Sequence, residues 1–468
     1  MKFLNLDDLT EKVKELKKAK RKIVLCHGVF ELIHPGHLRH FNEAKKYGDV
    51  LIVSITPDKF VNKGPGRPFF NESLRLESLT NLSTVDFVTL NNTATAVNVI
   101  KKLQPDIYCK GPDYKNHKKD VSGEIKNEAN AIKSVNGKIV YTKDITFSSS
   151  NLINKFYDLF SETQKKYINK IKKDFSFEQI RSQLEKLNKM RVLVIGETII
   201  DEYVFCDALG KSGKEPILMS RNLNIEKYLG GAAAISRHIS SFCKKLTLVT
   251  VLGEKKEYLN FIKSKLNRNI TLKLINKKNS PTIVKRRYLD YISHNKIFGT
   301  YEMNYDELNT SQEKKLNKLI TEEIKKHDLV IVSDYGHGFI SKKIAKLLSK
   351  KSKYLALNAQ INAANIGFHT MRNYKGVNCV IINEKELRHE LRDRSSLIEV
   401  LMKKLSKDQK IDSLVVTQGK KGSVLYDAKK KYFEKCEAFA KKTKDKVGAG
   451  DTMLSIAAIC LFSKMQNN

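Results

Sequence analysis

The segment IVLCHGVFELIHPGH, residues 23–37, begins the first α/β unit that the sequence predicts. Its first four residues are apolar, which is typical of a short buried strand. Pro35 and Gly36 then favour a turn into a helix that starts at about residue 36. Strands that alternate with helices predict a parallel sheet in a doubly wound α/β domain. Further predicted strands of this unit lie at 51–56, 85–90, 107–111 and 138–142, with helical stretches at 72–82 and 95–103.

A second α/β series begins with RVLVIGET, residues 191–198. Between the two series, residues 152–188 are charged and contain no glycine, which predicts a helical linker. We therefore expect two doubly wound domains: residues 22–151, a helical linker at 152–189, and residues 190–468. The predicted strands of the second series continue at 246–254, 328–336, 354–359, 379–384 and 413–419.

Composition narrows the class of protein before any motif is considered. The chain has 468 residues and 41% hydrophobic residues, enough for more than one core. Its seven cysteines form no CxxC pair, which argues against a zinc ribbon or a disulfide scaffold and fits a reducing compartment. The polar start does not resemble a signal peptide, and no apolar run is long enough for a membrane helix. We expect a soluble cytoplasmic protein with no membrane partner.

The charge balance is strongly basic, with 86 Lys and Arg against 51 Asp and Glu, a net charge of +35. A nucleic-acid-binding protein is one hypothesis for such a charge. Only about 15 of the basic residues are Arg, and the lysines are spread over the whole chain. Specific nucleic-acid binding calls for clustered Arg and aromatic residues among the basic ones. We therefore expect solvated lysine-rich faces and no specific nucleic-acid partner.

The first chemical motif is HPGH, residues 34–37. His34 and His37 lie three residues apart, so on a first helical turn they face the same side. The amino end of a helix offers free N–H groups and a positive dipole to a phosphate. The backbone amides of Gly28, Val29 and Phe30 are further candidate donors. The alternative is that the two histidines are only polar residues at a helix end.

Basic and hydroxyl side chains follow the predicted strands of the first series. Because ligands bind at the carboxyl ends of parallel strands, these groups predict a phosphate-binding site. The pattern indicates no Ser or Cys that acts as a nucleophile there. Such a site fits direct attack of a phosphate oxygen on an α-phosphorus, where positioning and charge neutralisation do the work. The candidate phosphate ligands are Lys63, Arg67, Arg75, Lys110, Ser148 and Ser149.

The second chemical motif is GAGD, residues 448–451, which opens a helix. Consecutive N–H groups at Gly448, Ala449 and Gly450 predict an anion hole. Asp451 at the helix start can accept the proton of an attacking hydroxyl, as phosphoryl transfer requires. The alternative is a glycine-rich turn that ends in an Asp N-cap.

Other strand ends of the second series supply candidate ligands. Asn383 and Glu386 offer oxygen atoms to a Mg²⁺ ion and its waters. Asp201 follows a buried strand and can bind sugar hydroxyls, while Gly230 and Gly231 expose bare backbone to a sugar. Further candidates at strand ends are Thr417 and Gly419 for a nucleotide, and Asp334 in SDYGHG.

With these motifs, residues 22–155 resemble the nucleotidyltransferase domain of the cytidylyltransferase family, a Rossmann-like fold whose signature is HxGH. The KGPGRP and KGPDY segments also match. The resemblance implies that His34 and His37 stabilise the transition state at the α-phosphate. Lys63 and Arg67 would hold the triphosphate or the sugar phosphate, and Ser148 and Ser149 would bind phosphate. Glu31 departs from the Asp that is usual in this family.

Residues 190–462 resemble the ribokinase-like (PfkB-type) carbohydrate kinases. The resemblance implies that Asp451 is the catalytic base and that Gly448–Gly450 form the anion hole. It further implies Mg²⁺ near Asn383 and Glu386, sugar contacts from Asp201, Gly230 and Gly231, and nucleotide contacts from Thr417 and Gly419. Ala234 and His337 depart from the common pattern of an Asn and a Lys. After GAGD the family has further helices, whereas here one helix follows, so we expect a kinase half that is incomplete at its C-terminus.

Both halves together resemble the bacterial ADP-heptose synthase family, with the transferase placed before the kinase. That resemblance implies a bifunctional enzyme that uses ATP, or another nucleoside triphosphate in the transferase half, together with Mg²⁺. The kinase would phosphorylate a sugar phosphate, a heptose 7-phosphate, and the transferase would couple the sugar 1-phosphate to a nucleotide with release of pyrophosphate. A homodimer is compatible with both families. In the alternative, only the transferase is active and the kinase half is a scaffold or sugar-binding module.

Overall fold

The computed structural model describes residues 2–61, 67–112, 124–142, 160–362, 365–440, 445 and 447–463. The chain divides into two compact units, Met1–Ser161 and Glu162–Asn468. The elements of unit 1 are α1 (Leu6–Lys18), β1 (Ile23–Gly28), α2 (Pro35–Lys45), β2 (Val50–Ile55), α3 (Glu72–Thr80), β3 (Phe87–Leu90), α4 (Val97–Leu103), β4 (Ile107–Lys110), α5 (Ile125–Ser134) and β5 (Lys138–Tyr141).

The five strands of unit 1 form one parallel sheet in the order β3-β2-β1-β4-β5. Side chains of a strand alternate between the two faces of its sheet. In β1, Ile23 and Leu25 pack into the core on one face, while Val24 and Cys26 pack into the core on the other. Both faces are therefore covered, which is why this strand is apolar at consecutive positions. The predicted doubly wound architecture is confirmed for this unit.

The helices of unit 2 pack around two sheets. Its elements are α6 (Glu162–Asp174), α7 (Phe177–Lys186), β6 (Arg191–Gly196), β7 (Thr198–Lys211), β8 (Leu218–Gly230), α8 (Gly231–Ser240), β9 (Lys245–Gly253), α9 (Leu259–Lys265), β10 (Ile270–Lys277), β11 (Val284–Asp290), β12 (Lys296–Glu302), α10 (Thr310–Ile324), β13 (Leu329–Asp334), α11 (Lys342–Lys351), β14 (Leu355–Ala359), β15 (Cys379–Asn383), α12 (Glu384–Leu391), α13 (Ile398–Gln409), β16 (Ser413–Thr417), β17 (Ser423–Asp427), β18 (Tyr432–Cys436) and α14 (Ala449–Phe462).

The larger sheet of unit 2 has nine strands in the order β10-β9-β6-β13-β14-β15-β16-β17-β18. In this order, each strand from β10 through β9, β6, β13, β14 and β15 to β16 pairs in parallel with the next. The last two strands, β17 and β18, pair antiparallel. In β6, Leu193 and Ile195 face one core and Val192 and Val194 face the other. This sheet is therefore covered on both faces, as the sequence predicts for a doubly wound domain.

A second, four-stranded sheet has the order β12-β11-β7-β8 and was not predicted. Strands β7 and β8 are antiparallel and carry two register shifts, one of them between Phe205 and Cys206. Most of β8 and all of β12 are exposed, so neither strand shows the alternation of apolar and polar residues that marks a half-buried strand. The carboxyl-terminal part of β7 and the amino-terminal part of β8 are exposed, while Ile200 and Leu229 pack into one of the two large cores.

The segment predicted as a helical linker is helical from Glu162 onward, and residues 152–159 lie outside the described part of the chain. Helix α6 contacts strand β18 of the same unit, where the Lys170 ammonium lies 2.9 Å from the Glu434 carboxylate. Leu184 of α7 packs against a core of the same unit. The compact units therefore divide at Ser161, and the linker boundaries at 152 and 189 remain a prediction. No helix among the described residues is long and apolar enough to cross a membrane.

Candidate active sites

The HPGH turn of unit 1 places two histidine rings together at the amino end of α2. Pro35 takes the first helical position, and His34 is the N-cap, where its Nδ1 accepts the Gly36 N–H at 3.1 Å. The rings of His34 and His37 stack with centroids 3.9 Å apart. Burial lowers the pKa of His34. The predicted pairing of the two imidazoles on one face is therefore present, at a helix end that suits an anion.

Residues 28–30 connect β1 to this turn. Gly28 ends β1, and the Val29 carbonyl accepts a hydrogen bond from Arg75 Nη1 at 2.6 Å. Phe30 has a φ of 47°, an uncommon conformation for a residue with a side chain, and its ring meets the His37 ring edge-on at 5.3 Å. The strained turn thus packs directly on a histidine of the motif. That these three backbone amides bind a nucleotide remains a prediction.

Glu31 holds the loop before the motif through an ion pair with Arg67. The Nε and Nη2 atoms of Arg67 donate to the two carboxylate oxygens of Glu31, and both side chains are buried. The Phe69 N–H donates to the same carboxylate at 2.8 Å. This bidentate pair uses one edge of the guanidinium. The role of Arg67 as a phosphate ligand remains a prediction.

Two other basic residues that sequence analysis assigned to phosphate have partners inside the protein. Arg75 is buried, and its guanidinium donates to the Thr56 carbonyl, the Asp58 carboxylate and two more main-chain oxygens. Arg75 therefore joins Thr56 and Asp58 to Val29 and Phe70, and the expectation that it faces a phosphate is corrected. Lys110 is also buried, with its ammonium 2.9 Å from the Glu128 carboxylate, so a phosphate contact from Lys110 remains a prediction. Lys63, Ser148 and Ser149 lie outside the described residues.

Unit 2 contains a cavity of about 330 Å³ at the carboxyl ends of its parallel strands. It brings together predicted residues from segments far apart in the chain, as the topology of parallel sheets favours. Of the remaining predicted residues, Gly230 and Ala449 adjoin lining residues, while Gly419, with a φ of 60°, begins a 3₁₀ turn beyond β16. The predicted residues that line the cavity are Asp201, Gly231, Asn383, Glu386, Thr417, Gly448, Gly450 and Asp451.

Asp451 lies in the first turn of α14, after Gly448 with a φ of 79°. The Tyr335 hydroxyl donates to its carboxylate at 2.5 Å. Burial raises the pKa of Asp451 to about 6, an effect that the nearby Asp201 carboxylate reinforces and the Tyr335 hydrogen bond opposes. A carboxylate with a pKa close to the working pH is suited to accept a proton. Among the residues that the structure describes, no side chain caps α14, and a Cβ added at Gly450 would meet none of their atoms within 4 Å.

Gly230 and Gly231 lie at positions where a larger residue would collide with neighbouring atoms. A Cβ added at Gly230 would lie 2.3 Å from Oδ2 of Asp201, and at Gly231, with a φ of 58°, it would lie 2.3 Å from the Glu197 carbonyl oxygen. The Asp201 carboxylate also accepts a hydrogen bond from Arg287 Nη1 at 2.6 Å. Gly230 therefore lets β8 pass directly beside a carboxylate of the cavity, and Gly231 lets α8 begin against the main chain at Glu197.

Asn383 and Glu386 form the capping box of α12. The Asn383 side chain accepts the Glu386 N–H at 2.9 Å, and the Glu386 carboxylate accepts the N–H groups of Asn383 at 2.8 Å and Ile361 at 3.3 Å. Burial raises the pKa of Glu386 to about 7. In the described part of the chain no lysine or arginine forms an ion pair with this cavity-lining carboxylate. A buried carboxylate in that situation fits a hydrated divalent cation, whose preferred ligands are oxygen atoms.

The SDYGHG turn supports the cavity from behind. Glu197 is fully buried, and its carboxylate accepts the N–H groups of Tyr335 at 3.0 Å and His337 at 3.1 Å. Burial raises the pKa of Glu197 to about 7, with a further contribution from Asp334. Asp334 lies at the strand end as expected, but it is not among the residues that line the cavity. Its carboxylate accepts a hydrogen bond from the Tyr374 hydroxyl at 2.7 Å, which is a structural role. This turn positions the tyrosine that contacts Asp451.

Sequence analysis missed the basic residues of β11 and β12 that line the cavity. Lys285 is buried, with its ammonium 5.2 Å from the centroid of the Tyr335 ring, and burial lowers its pKa. Its neighbour Arg287 pairs with Asp201, and Lys296 lies 2.7 Å from Asp445. The run VKRRYLD, residues 284–290, carries Lys285 and Arg287 but matches no motif. Only the pairing of β11 with β7 brings them beside Asp201.

Two family models match the chain, one in each compact unit. Residues 189–465 match the model of the pfkB family of carbohydrate kinases, and residues 25–156 match the cytidylyltransferase-like model. The Bifunctional protein HldE of Campylobacter jejuni subsp. doylei is 28% identical to the chain over 284 residues, which cover 59% of this chain and 58% of that protein. The chain thus spans less than two thirds of this curated relative.

Two further matches extend the comparison. The Bifunctional protein HldE of Aliarcobacter butzleri is 37% identical over 139 residues, 29% of this chain and 28% of the relative. A solved structure of Arabidopsis thaliana ribokinase, complexed with ribose and ATP, has a TM-score of 0.44 and 16% identity, and covers 59% of this chain and 87% of its own.

Proposed function

Because the chain belongs to the pfkB family of carbohydrate kinases, we propose that unit 2 transfers a phosphoryl group from ATP to a sugar phosphate. The product of this step is a sugar bisphosphate. Once hydrolysis has removed its other phosphate, we propose that unit 1 couples the sugar 1-phosphate to a nucleotide and releases pyrophosphate. The observation that carries the kinase proposal is Asp451, which lines the cavity at the start of α14, with its pKa raised to about 6. The match of residues 25–156 to the cytidylyltransferase-like model supports the second activity.

In the proposed kinase step, Asp451 accepts the proton of the anomeric hydroxyl while that oxygen attacks the terminal phosphorus of ATP. The new oxygen–phosphorus bond forms as the bond to ADP breaks. The uncapped N–H groups at the start of α14 stabilise the charge on the transferred group. Lys285 and Arg287 bring positive charge to the same cavity, and Asp201, held by Arg287, accepts hydrogen bonds from the sugar.

Mg²⁺ bound near Asn383 and Glu386 would neutralise the phosphate charge during transfer. These two side chains already line the cavity, and the capping box fixes their orientation on α12. We propose that Thr417, which lines the cavity at the end of β16, contacts the nucleotide. We propose that Gly419, in the turn after that strand, also contacts the nucleotide.

In the proposed transferase step, an oxygen of the sugar 1-phosphate attacks the α-phosphorus of a nucleoside triphosphate, and pyrophosphate leaves. His34 and His37, stacked at the amino end of α2, bind the phosphate oxygens that gain charge in the transition state. By resemblance to ADP-heptose synthases, we propose ATP as the nucleotide and a heptose 7-phosphate as the first substrate. We further propose a cytoplasmic enzyme that functions as a homodimer.

Two separate product assays test the two halves. ADP release by the full chain with ATP, Mg²⁺ and a panel of hexose and heptose phosphates measures the kinase. Asp451→Asn should abolish this release, while Asp408→Asn, a matched change at an exposed position of α13, should leave it unchanged. Release that persists in Asp451→Asn would contradict the proposed base. No release from a folded chain with any sugar would favour the alternative of a sugar-binding scaffold.

Pyrophosphate release with a sugar 1-phosphate and each nucleoside triphosphate measures the transferase. His34→Ala and His37→Ala should each lower this rate by a factor of at least about one hundred, the cost typical of losing a donor to transition-state charge. Leu38→Ala, an exposed change on the same helix turn, is the control. Rates that are equal in all variants would contradict the assignment of the histidine site.

A further inference from the structure

Three potential metal ligands meet in unit 1 beneath the HPGH turn. One ligand atom each of Cys26, His40 and Cys109 lies within 4.8 Å of the other two. Cys26 of β1 and Cys109 of β4 are register partners on adjacent parallel strands, and both are fully buried. His40 reaches the pair from α2, one turn after His37. The cluster thus joins two strands and the helix that carries the histidine motif.

The His40 ring is oriented by a hydrogen bond at one of its two nitrogens. Its Nδ1 lies 3.0 Å from Oγ1 of Thr142, and the same hydroxyl lies 3.4 Å from the Lys110 carbonyl oxygen, to which it can donate. In that arrangement Nδ1–H donates to Thr142, and Nε2 keeps its lone pair. A histidine that binds a metal through one nitrogen while the other donates to a fixed partner is the usual arrangement in metal sites.

We infer that Cys26, Cys109 and His40 form a binding site for one thiophilic closed-shell cation, Zn²⁺ or Cu⁺. Two thiolates and one imidazole are the ligands that these ions select over Mg²⁺ or Ca²⁺. Three atoms no more than 4.8 Å apart have a common point within about 2.8 Å of each, so ligand distances of about 2.0–2.3 Å need only small side-chain shifts. Binding replaces the two S–H protons, which pass to the solvent.

The charges of the site fit both ions. Two thiolates and a neutral imidazole balance the charge of Zn²⁺ and leave one negative charge around Cu⁺. The nearby cation, Lys110, is already paired with Glu128 at 2.9 Å, so it does not oppose a neutral zinc complex strongly. Occupancy would join β1, β4 and α2, and would therefore stabilise the part of unit 1 that carries His34 and His37.

Metal stoichiometry of the purified full chain tests the inference. After reduction, the chain is dialysed against Zn²⁺, or against Cu⁺ without oxygen, and bound metal is counted by mass spectrometry. We expect one ion per chain, and loss of that ion in the Cys26→Ser/Cys109→Ser double variant. The matched control is Cys243→Ser/Cys379→Ser, which removes two buried thiols of unit 2. Thr142→Val should weaken binding by about 10- to 100-fold, the usual cost of losing a second-shell partner.

X-ray absorption of the metal-loaded wild-type chain keeps the test independent of variant folding. Two sulfur neighbours and one imidazole at the bound ion would support the site, and the preferred ion follows from competition between Zn²⁺ and Cu⁺. Absence of binding by the folded wild-type chain would overturn the inference. A spectrum without two sulfur neighbours, or equal binding by the Cys26→Ser/Cys109→Ser variant and its control, would overturn it as well.

Discussion

Replacing Asp451 with Asn should stabilise unit 2 while it removes the kinase activity. In the folded chain burial is the main cause that raises the pKa of Asp451 from 3.8 to about 6. At about 1.4 kcal/mol per pH unit, this rise means that the ionised carboxylate costs the folded state up to about 3 kcal/mol. The neutral amide avoids that cost and can still accept the hydrogen bond from Tyr335.

The pH dependence gives this prediction its sign. Below pH 3.8 Asp451 is protonated in both folded and unfolded chains, so the variant and the wild type should be equally stable. As the pH rises from 3.8 to about 6, the unfolded chain releases this proton first, and the wild type loses stability relative to Asp451→Asn. Above the folded-state pKa the difference is constant. The stabilisation is therefore expected at pH 8 and should vanish towards pH 4.

Differential scanning calorimetry at pH 8 and at lower pH measures the effect. Since about 2 °C of Tm corresponds to 1 kcal/mol in a domain of this size, the transition of unit 2 should rise by several degrees at pH 8. Asp408→Asn changes the same chemical group at an exposed position and should leave Tm unchanged. An Asp451→Asn chain that is less stable than the wild type at pH 8 would refute the reasoning, because the ionised carboxylate would then be stabilised by its surroundings.

Two further predictions concern the partners of functional residues. Tyr335→Phe removes the hydrogen bond that lowers the pKa of Asp451. The acidic limb of the kinase pH–rate profile should therefore move to higher pH by about one to two units. An unchanged limb would show that this hydrogen bond does not affect catalysis. Glu31→Gln leaves the buried Arg67 guanidinium without its countercharge and should destabilise unit 1 by about 3–5 kcal/mol in urea unfolding, whereas Glu11→Gln on the exposed face of α1 should have no effect.

The fold class was predictable because both main sheets are parallel and covered on both faces. Each inner strand, such as β1 and β6, then appears as a short apolar run between turns, which is a strong signal. The four-stranded sheet gives no such signal, because β8 and β12 are largely exposed and the sheet is completed by strands distant in sequence. Its existence depends on backbone pairing, which local composition does not encode.

For the site residues, motifs predicted the position of each residue on its helix but not the groups that surround it. Motif spacing predicted that His34 and His37 share a helix face and that Asp451 begins a helix. It did not predict the partners of charged residues, since Arg75 and Lys110 meet acceptors contributed by other elements. The Asn383–Glu386 pair is compatible with both a metal site and a capping box, because both use side-chain oxygen atoms, which this spacing supplies.

The basicity of Asp451 is assembled from three distant parts of unit 2. Its carboxylate comes from α14, the hydroxyl that lowers its pKa comes from Tyr335, and Tyr335 is itself fixed by the Glu197 carboxylate at the end of β6. Residues that belong to no recognisable motif thus set the pH range in which the motif residue can act as a base. A GAGD sequence alone would specify an Asp at a helix start; the burial around it raises its pKa towards neutrality, and the tyrosine behind it limits that rise.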